Sequence, residues 1–254
     1  MRIAISAYTA TSALGNGRDS IKKSITARQS GLRHNDFPGC DLDTWIGRVE
    51  SVESTQLPAH LDHMDSRNNR LTWLGLQQDG FLDHLDGLIG KIGADRIGIV
   101  MATSTSSIGR TEEAYAEMGG SDTLPDKYLQ PGVHNLHGPG IFVAEATGLT
   151  GPSLTISTAC SSSAKVFATA SRWISLGLVD AVLVGGVDSL CLSVLYGFNS
   201  LELLSANPCR PFDARRDGIN LGEAAGFVLL TRQDMAPEAD IALLGLSLIH
   251  ISEP

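Results

Sequence analysis

Two uninterrupted apolar runs constrain the fold of this 254-residue chain more than any other feature. They are RIGIVMAT (Arg96–Thr103) and DAVLVGGVDS (Asp180–Ser189), and each is bounded by polar residues. An apolar run of strand length without polar alternation is typical of a strand that is buried on both faces. Segments with apolar residues at helical spacing lie between such strands. The alternation predicts an α/β layered fold in which helices cover a sheet.

The same patterns predict the remaining elements. Further strands are expected at RIAISAY (2–8), PSLTIST (152–158) and GEAAGFVLLTR (222–232), with a short strand near Thr44–Val52. Helices are expected over 17–31, where Gly31 would close the helix, and over 67–88, 110–117, 141–147 and 162–176. The last helix is apolar on nearly every side, so we expect it to lie centrally. No clear linker divides the chain.

Charge and composition exclude several classes of function. The formal net charge of −9 argues against a broadly basic surface that would bind nucleic acid. Hydrophobic residues make up 43% of the chain. No apolar run reaches the length of a membrane-spanning helix. The first residues mimic a signal peptide in their small side chains, but Ile3, Ile5 and Ala7 alternate as in a strand. We therefore expect a reduced, cytoplasmic protein.

The four cysteines, Cys40, Cys160, Cys191 and Cys209, are widely spaced and form neither a CxxC pair nor a zinc pattern. The ordinary interpretation of each is a small buried side chain. Cys160 differs because it lies between a predicted strand and a predicted helix. There the helix dipole and free backbone N–H groups stabilise an anion, and they can donate to an oxyanion in acyl transfer. Chemistry alone leaves both a nucleophile and a structural thiol open.

A second stretch, NPCRPFDARRDGINLGEAAG (Asn207–Gly226), combines a proline-flanked turn, alternating charges and several glycines before an apolar strand. Its structural interpretation is a loop held by its own ion pairs, between Arg210 or Arg215 and Asp213 or Asp217. Together with STACSSSAK (157–165) and VGGVDS (184–189), at these separations, it resembles the elongating β-ketoacyl-acyl-carrier-protein synthases. That family includes the ketosynthase domains of polyketide synthases.

The resemblance covers the chain from its first strand to about residue 245, and the RPFDARRDG element makes it specific. The segment VDSLCLSVLYGFNSLELLS (187–205) is most similar to ketosynthases of the aryl-polyene type. The implied fold is thiolase-like, with α-β-α-β-α layers, and the chain would supply its N-terminal half.

The resemblance implies roles for individual residues. Cys160 would accept the acyl group, and its backbone N–H would supply half of the oxyanion hole. Phe198 would line the acyl pocket, a role that is compatible with plain core packing. Arg210, Asp213 and Asp217 would hold the loop beside the site, with a structural and not a chemical role. Malonyl-acyl carrier protein would lose CO₂, and its enolate would attack the Cys160 thioester in a decarboxylative Claisen condensation.

The resemblance implies no metal and no organic cofactor, because the phosphopantetheine arm arrives with the acyl carrier protein. Acyl carrier proteins are acidic, so docking needs local basic side chains. Arg110, Lys165 and Arg172 are candidates, and ordinary solvated positions are the alternative for each. We expect a homodimer or a ketosynthase-like heterodimer.

Two other functions are alternatives to this one. A non-catalytic, chain-length-determining partner subunit is the alternative from another class, but such partners generally lack the cysteine nucleophile. A thiolase or an initiating synthase that works on coenzyme A does not fit the RPFDARRDG stretch.

The chain departs from the family pattern in three places. The family usually has GEGAG where this chain has Ala224 in GEAAG, and the loop STSSIG (104–109) is poorer in glycine than in many relatives. The family's two histidines, lysine and phenylalanine–glycine loop belong to its C-terminal half. None of the seven histidines here has the matching context, and His137 in HGPG lies on the wrong side of Cys160. We therefore expect the chain by itself to lack condensing activity.

The final residues, LSLIHISEP (246–254), resemble no segment of the family. They back-translate naturally to a transposase-type sequencing adapter. We therefore expect a β-ketoacyl synthase N-terminal domain at 1–245 and a non-native tail at 246–254, in which His250 has no catalytic role.

Overall fold

The computed structural model describes residues 2–247, which form an α/β fold as the sequence predicts. The strands of this range are β1 (Ile3–Ser12), β2 (Gly15–Asn16), β3 (Arg33–His34), β4 (Trp45–Gly47), β5 (Ile97–Ala102), β6 (Ser153–Ile156), β7 (Ala181–Asp188), β8 (Leu221–Gly222), β9 (Ala224–Arg232) and β10 (Ile241–Leu243). The α-helices are α1 (Arg18–Thr26), α2 (Arg67–Leu76), α3 (Phe81–Ile92), α4 (Ile108–Met118), α5 (Gly138–Thr147), α6 (Ser162–Ser175) and α7 (Leu192–Ser200). Most of the predicted adapter tail, including His250, lies outside the described residues.

One mixed sheet organises the chain. Its strand order is β10-β1-β9-β7-β5-β6, and β2 pairs with the end of β1. The strands β6, β5 and β7 are mutually parallel, whereas β9 is antiparallel to both β7 and β1. The ends of β1, β5, β6 and β7 and the start of β9 therefore meet at the same edge of the sheet. A small second sheet, β3-β4-β8, lies off this path.

Alternation along the two central strands divides the core into two clusters. Every residue of β5 is buried. Ile97, Ile99 and Met101 pack with the side chains of α2, α3 and α5 on one face, and Val100 packs with α6 on the other. The predicted burial of this strand on both faces is confirmed, because its side chains supply both clusters.

The expectation of one helix over 67–88 is wrong, since the segment forms α2 and α3 with a break between them. Asp79 and Gly80 have φ values of 58° and 66°, in the left-handed region that interrupts an α-helix. The apolar spacing continues across the break because Leu71 and Leu85 bury on the same cluster. Periodicity detected the common buried face and missed the turn within it.

Helix α1 also ends before the predicted position. It stops at Thr26, and Arg28 adopts a left-handed φ of 53°. Gly31 does not close the helix. A Cβ at Gly31 would lie 2.7 Å from the backbone of Ala13, so this glycine permits close packing of two loops.

Helix α6 covers one face of the sheet and is less enclosed than its composition predicts. Its buried apolar residues, Val166, Ala170 and Ile174, follow a spacing of four and contact the β5–β7 face. Leu176, just after the helix, is 74% exposed. No helix within residues 2–247 is long and apolar enough to cross a membrane.

Candidate active site

A cavity of about 680 Å³ opens at the edge where the strand ends meet. Each wall comes from a different part of the chain: the end of β1, the end of β5, the end of β7, the start of β9 and the turn before α6. Carboxyl ends of parallel strands are a common position for ligand sites in α/β folds, because loops converge there without competing for the sheet. Cys160 lines this cavity and is exposed.

The turn that carries Cys160 connects β6 to α6 within five residues. Ala159, directly before the cysteine, has a φ of 51°, which is uncommon for a residue with a side chain. Ser162 holds the turn: its Oγ accepts from the Thr158 N–H at 2.8 Å and donates to the Ala159 carbonyl at 2.7 Å. A strained strand-to-helix turn that is braced in this way presents the following side chain at its apex.

Asp188, the last residue of β7, lines the same cavity and organises the loop after β5. One carboxylate oxygen accepts from the Ser104 N–H at 2.6 Å and the Thr103 hydroxyl at 3.0 Å, and the other accepts from the Ser104 hydroxyl at 3.0 Å. The serine-rich loop is therefore fixed by hydrogen bonds to the Asp188 carboxylate.

Glu223, directly before β9, also lines the cavity and is buried. It accepts from the Val49 N–H at 2.8 Å, from the Leu190 N–H at 2.9 Å and from both Nε and Nη2 of Arg67, at 2.8 and 2.6 Å. A buried carboxylate is tolerated when it is paired and its lone pairs are used. Glu223 thus ties β4, α2 and the segment after β7 to the cavity.

The predicted loop at 207–226 lies beside the cavity through Cys209, which lines it. Arg210 pairs with Asp217 at 3.3 Å, and Arg215 pairs with Asp213 at 3.6 Å. The Ser205 hydroxyl and the Asn207 amide lower the pKa of Asp217 by hydrogen bonds to its carboxylate. These contacts are the intraloop pairs that the charge pattern predicts.

Phe198 lies on α7, half-buried, and is not among the residues that line the cavity at Cys160. Its role in an acyl pocket therefore stays a prediction. Cys191 is buried, and burial raises the pKa of its thiol to about 11. Cys40 packs at the edge of a small apolar cluster with Ile46 and Leu195.

The three basic candidates for carrier-protein docking differ in their surroundings. Arg110 pairs with Glu113 at 2.7 Å and covers the Tyr128 ring, 4.3 Å from its centroid. Lys165 and Arg172 lie on α6, where Lys165 is half-buried and Arg172 is exposed. The Arg110 guanidinium is therefore already engaged by Glu113 and Tyr128 of this chain, whereas the Arg172 side chain is exposed.

Sequence reasoning did not identify Asp188 or the pair Arg67–Glu223 as parts of the site. The motifs VGGVDS and GEAAG contain the two acids, but nothing in their spacing shows which donors they meet. Arg67 lies 156 residues before its partner. A polar residue at the end of an apolar strand was the one available signal, because strand ends converge on a common edge.

Comparison with known proteins agrees with this geometry. The family model of the β-ketoacyl synthase N-terminal domain matches residues 1–236. Nodulation protein E of Rhizobium meliloti is 27% identical over 272 residues, covering 100% of this chain and 65% of that protein. The 3-oxoacyl-[acyl-carrier-protein] synthase 2 of Rhizobium meliloti (strain 1021) is 38% identical over 139 residues, which are 46% of this chain and 33% of that protein.

Among solved structures, a ketosynthase from Xenorhabdus doucetiae in complex with its chain length factor superposes with a TM-score of 0.78 and 34% identity. The match covers 91% of this chain and 58% of that chain. The thiolase-like α/β fold expected from the resemblance is confirmed by this likeness. The chain spans at most 65% of the length of the three proteins compared here.

Proposed function

The chain belongs to the β-ketoacyl synthase N-terminal domain family, and on that premise we propose that Cys160 is the acyl-carrying nucleophile of a condensing acyltransferase. One observation carries the proposal. Cys160 is an exposed thiol at the apex of a braced strand-to-helix turn, and it faces a cavity of about 680 Å³ at the convergence of the strand ends. A nucleophile that must meet a carrier-bound thioester needs both the cavity and the exposure.

The proposed reaction has two stages. The Cys160 sulfur attacks the carbonyl of an acyl thioester, and the carrier's phosphopantetheine thiol leaves with a proton. Malonyl-acyl carrier protein then loses CO₂, and its enolate carbon attacks the Cys160 thioester. A C–C bond forms, the C–S bond breaks, and the Cys160 thiolate that leaves takes up a proton from water to regenerate the thiol. The backbone N–H of Cys160 would donate to the oxyanion that develops at each attack.

The groups that assist decarboxylation in the family are not among the residues of this chain that match its motifs. We propose that they come from polypeptide additional to residues 2–247, consistent with the greater length of the relatives. The residues Arg210, Asp213 and Asp217 would fix the loop beside Cys160, and Phe198 would contact the acyl chain. No metal or organic cofactor is needed by this scheme.

We propose an acyl carrier protein and a second ketosynthase-like subunit as partners. The name of the Rhizobium meliloti synthase includes an acyl carrier protein, and the Xenorhabdus doucetiae ketosynthase was solved with its chain length factor. Arg172 is the better placed docking residue because it is exposed, whereas Arg110 is already paired. Four unpaired cysteines are consistent with work in the reducing cytoplasm.

A non-catalytic partner subunit is the competing function, and Cys160 distinguishes the two. The test is condensation of an acyl-acyl carrier protein with malonyl-acyl carrier protein by the protein expressed from its complete gene. We expect Cys160→Ala to abolish product formation and Cys191→Ala, at a buried thiol away from the cavity, to leave it measurable. Full activity of Cys160→Ala would contradict the nucleophile assignment.

A further inference from the structure

The cavity is also lined by a carboxylate, that of Asp188, with no role in the reaction as proposed. Asp188 ends β7, and Thr103 and Ser104 follow β5. The two strands are paired in parallel, with Ala102 opposite Gly186, so both ends reach the cavity together. A charged side chain at this position has to be compensated or it costs stability.

Neutral donors from the β5 loop compensate it. The Ser104 N–H, the Ser104 hydroxyl and the Thr103 hydroxyl occupy both oxygens of the Asp188 carboxylate, at 2.6 to 3.0 Å. Thr103 in turn holds the next part of the loop, because its Oγ1 accepts a hydrogen bond from the Ser106 N–H at 2.8 Å. Ser106 has a left-handed φ of 53° and is buried. The loop is therefore held in one conformation by bonds that converge on Asp188.

The same loop contacts the turn that carries the nucleophile. The Ser157 hydroxyl donates to the Ser104 carbonyl at 3.2 Å, three residues before Cys160. The Thr103 N–H donates to the Ile156 carbonyl at 3.2 Å, and Ser162 Oγ lies 3.3 Å from the Thr103 carbonyl. The residues before and after Cys160 in the turn are thus hydrogen-bonded to Thr103 and Ser104, the two residues that Asp188 binds.

We propose that Asp188 is a positioning residue that sets the place of the Cys160 sulfur for acyl transfer, acting through Thr103 and Ser104. This inference rests on the proposed function of Cys160. It assigns no contact between Asp188 and the substrate. Acyl transfer requires the sulfur and the oxyanion donors to be in register, and a displacement of about 1 Å can reduce such a rate about 100-fold. Alkylation of an exposed thiol by a small reagent has no such requirement.

The difference between those two reactions is the test. The protein expressed from its complete gene would be acylated with a hexanoyl-pantetheine thioester and, separately, alkylated with iodoacetamide, with both rates followed by intact mass. We expect Asp188→Ala to lower the maximal acylation rate about 10- to 100-fold. Its half-saturating thioester concentration and its alkylation rate should stay near those of the unaltered protein.

Two variants separate positioning from general loss of structure. Asp188→Asn retains an acceptor oxygen and gains an amide that can donate to Ser104 Oγ, so it should lose less than about tenfold in acylation. Asp180→Ala is the matched control at the other end of β7. It removes ion pairs with Arg96 at 2.7 Å and Arg232 at 3.3 Å, far along the strand from the cavity, and should leave both rates unchanged.

The outcomes are distinguishable. Acylation of a folded Asp188→Ala variant at the unaltered rate would contradict the inference alone. A parallel fall in acylation and alkylation would also contradict it, because it would show loss of exposure and not of register. Absence of acylation in the unaltered protein would contradict the proposed function itself, and the inference with it.

Discussion

At the scale of single residues, the thiols differ by their surroundings. Cys160 is exposed at the cavity, whereas Cys191 is buried directly before α7, where burial raises the pKa of its thiol to about 11. Because only the thiolate attacks iodoacetamide, the raised pKa and the burial of Cys191 both slow its labelling, whereas Cys160 is accessible to the reagent. The two residues therefore form an internal comparison of a reactive and an inert position.

We expect iodoacetamide at about pH 8 to label Cys160 and to spare Cys191, as measured by peptide mass mapping. Labelling of Cys191 should rise only as the pH approaches its pKa of about 11. Folding raises the pKa of the Cys191 thiol above its ordinary value of 9.0. The buried thiol therefore contributes to the free energy of unfolding below pH 9.0, and this contribution is lost as the pH rises towards 11. Equal labelling of both cysteines at the lower pH would contradict this assignment, and Cys160→Ala serves as the control.

The position of Cys160 followed from the sequence because it lies between two clearly patterned elements. The partners of Asp188 and Glu223 did not, because their donors come from segments far away in the chain. Local patterns show that a polar residue ends a strand, and only the packed sheet shows which loop that residue holds.

At the scale of elements, β7 and its neighbours depend on close packing. A Cβ at Gly185 would lie 2.6 Å from the Phe227 ring and 2.7 Å from the Met101 sulfur. By contrast, a Cβ at Gly197 in α7 would meet, among the described residues, no atom within 4 Å other than those of its chain neighbours and its own helix backbone. Glycine is thus required at the first position by its neighbours, and at the second it only weakens a helix.

We expect Gly185→Ala to destabilise the protein by roughly 1 to 3 kcal/mol through overpacking. Gly197→Ala should stabilise it by about 0.5 to 1 kcal/mol, because it reduces the freedom of the unfolded chain. Chemical denaturation of both variants tests this pair. A gain in the free energy of unfolding for Gly185→Ala equal to that for Gly197→Ala would show that the neighbours of Gly185 leave room for a Cβ.

The elements that the sequence misplaced share a cause. The single helix predicted over 67–88 is two helices with a break at Asp79–Gly80, and α1 ends at Thr26 and not at the predicted Gly31. In both places apolar spacing or a glycine led to the predicted helix bounds. The observed bounds differ because a non-glycine residue there adopts a left-handed backbone conformation. Strands β5 and β7 were predicted well because uninterrupted apolar runs have few alternatives at that length.

At the scale of the whole molecule, one mixed sheet brings five chain segments to one edge and places a thiol among them. The strand order explains why residues from Ser12 to Ala224 share a cavity, since β9 lies beside β7 and β1 lies beside β9. Membership of the β-ketoacyl synthase family accounts for the motifs, and the geometry accounts for the exposure of Cys160. The proposed role of this thiol is to carry the acyl group.

The most direct measurement is the mass of the acylated peptide. The protein from the complete gene is mixed with a hexanoyl-acyl carrier protein without malonyl donor, digested at low pH and mapped by mass spectrometry. We expect a hexanoyl group on the peptide that contains Cys160, and we expect it to disappear when malonyl-acyl carrier protein is added. A hexanoyl group on another residue, or condensation with no acyl group on Cys160, would contradict it.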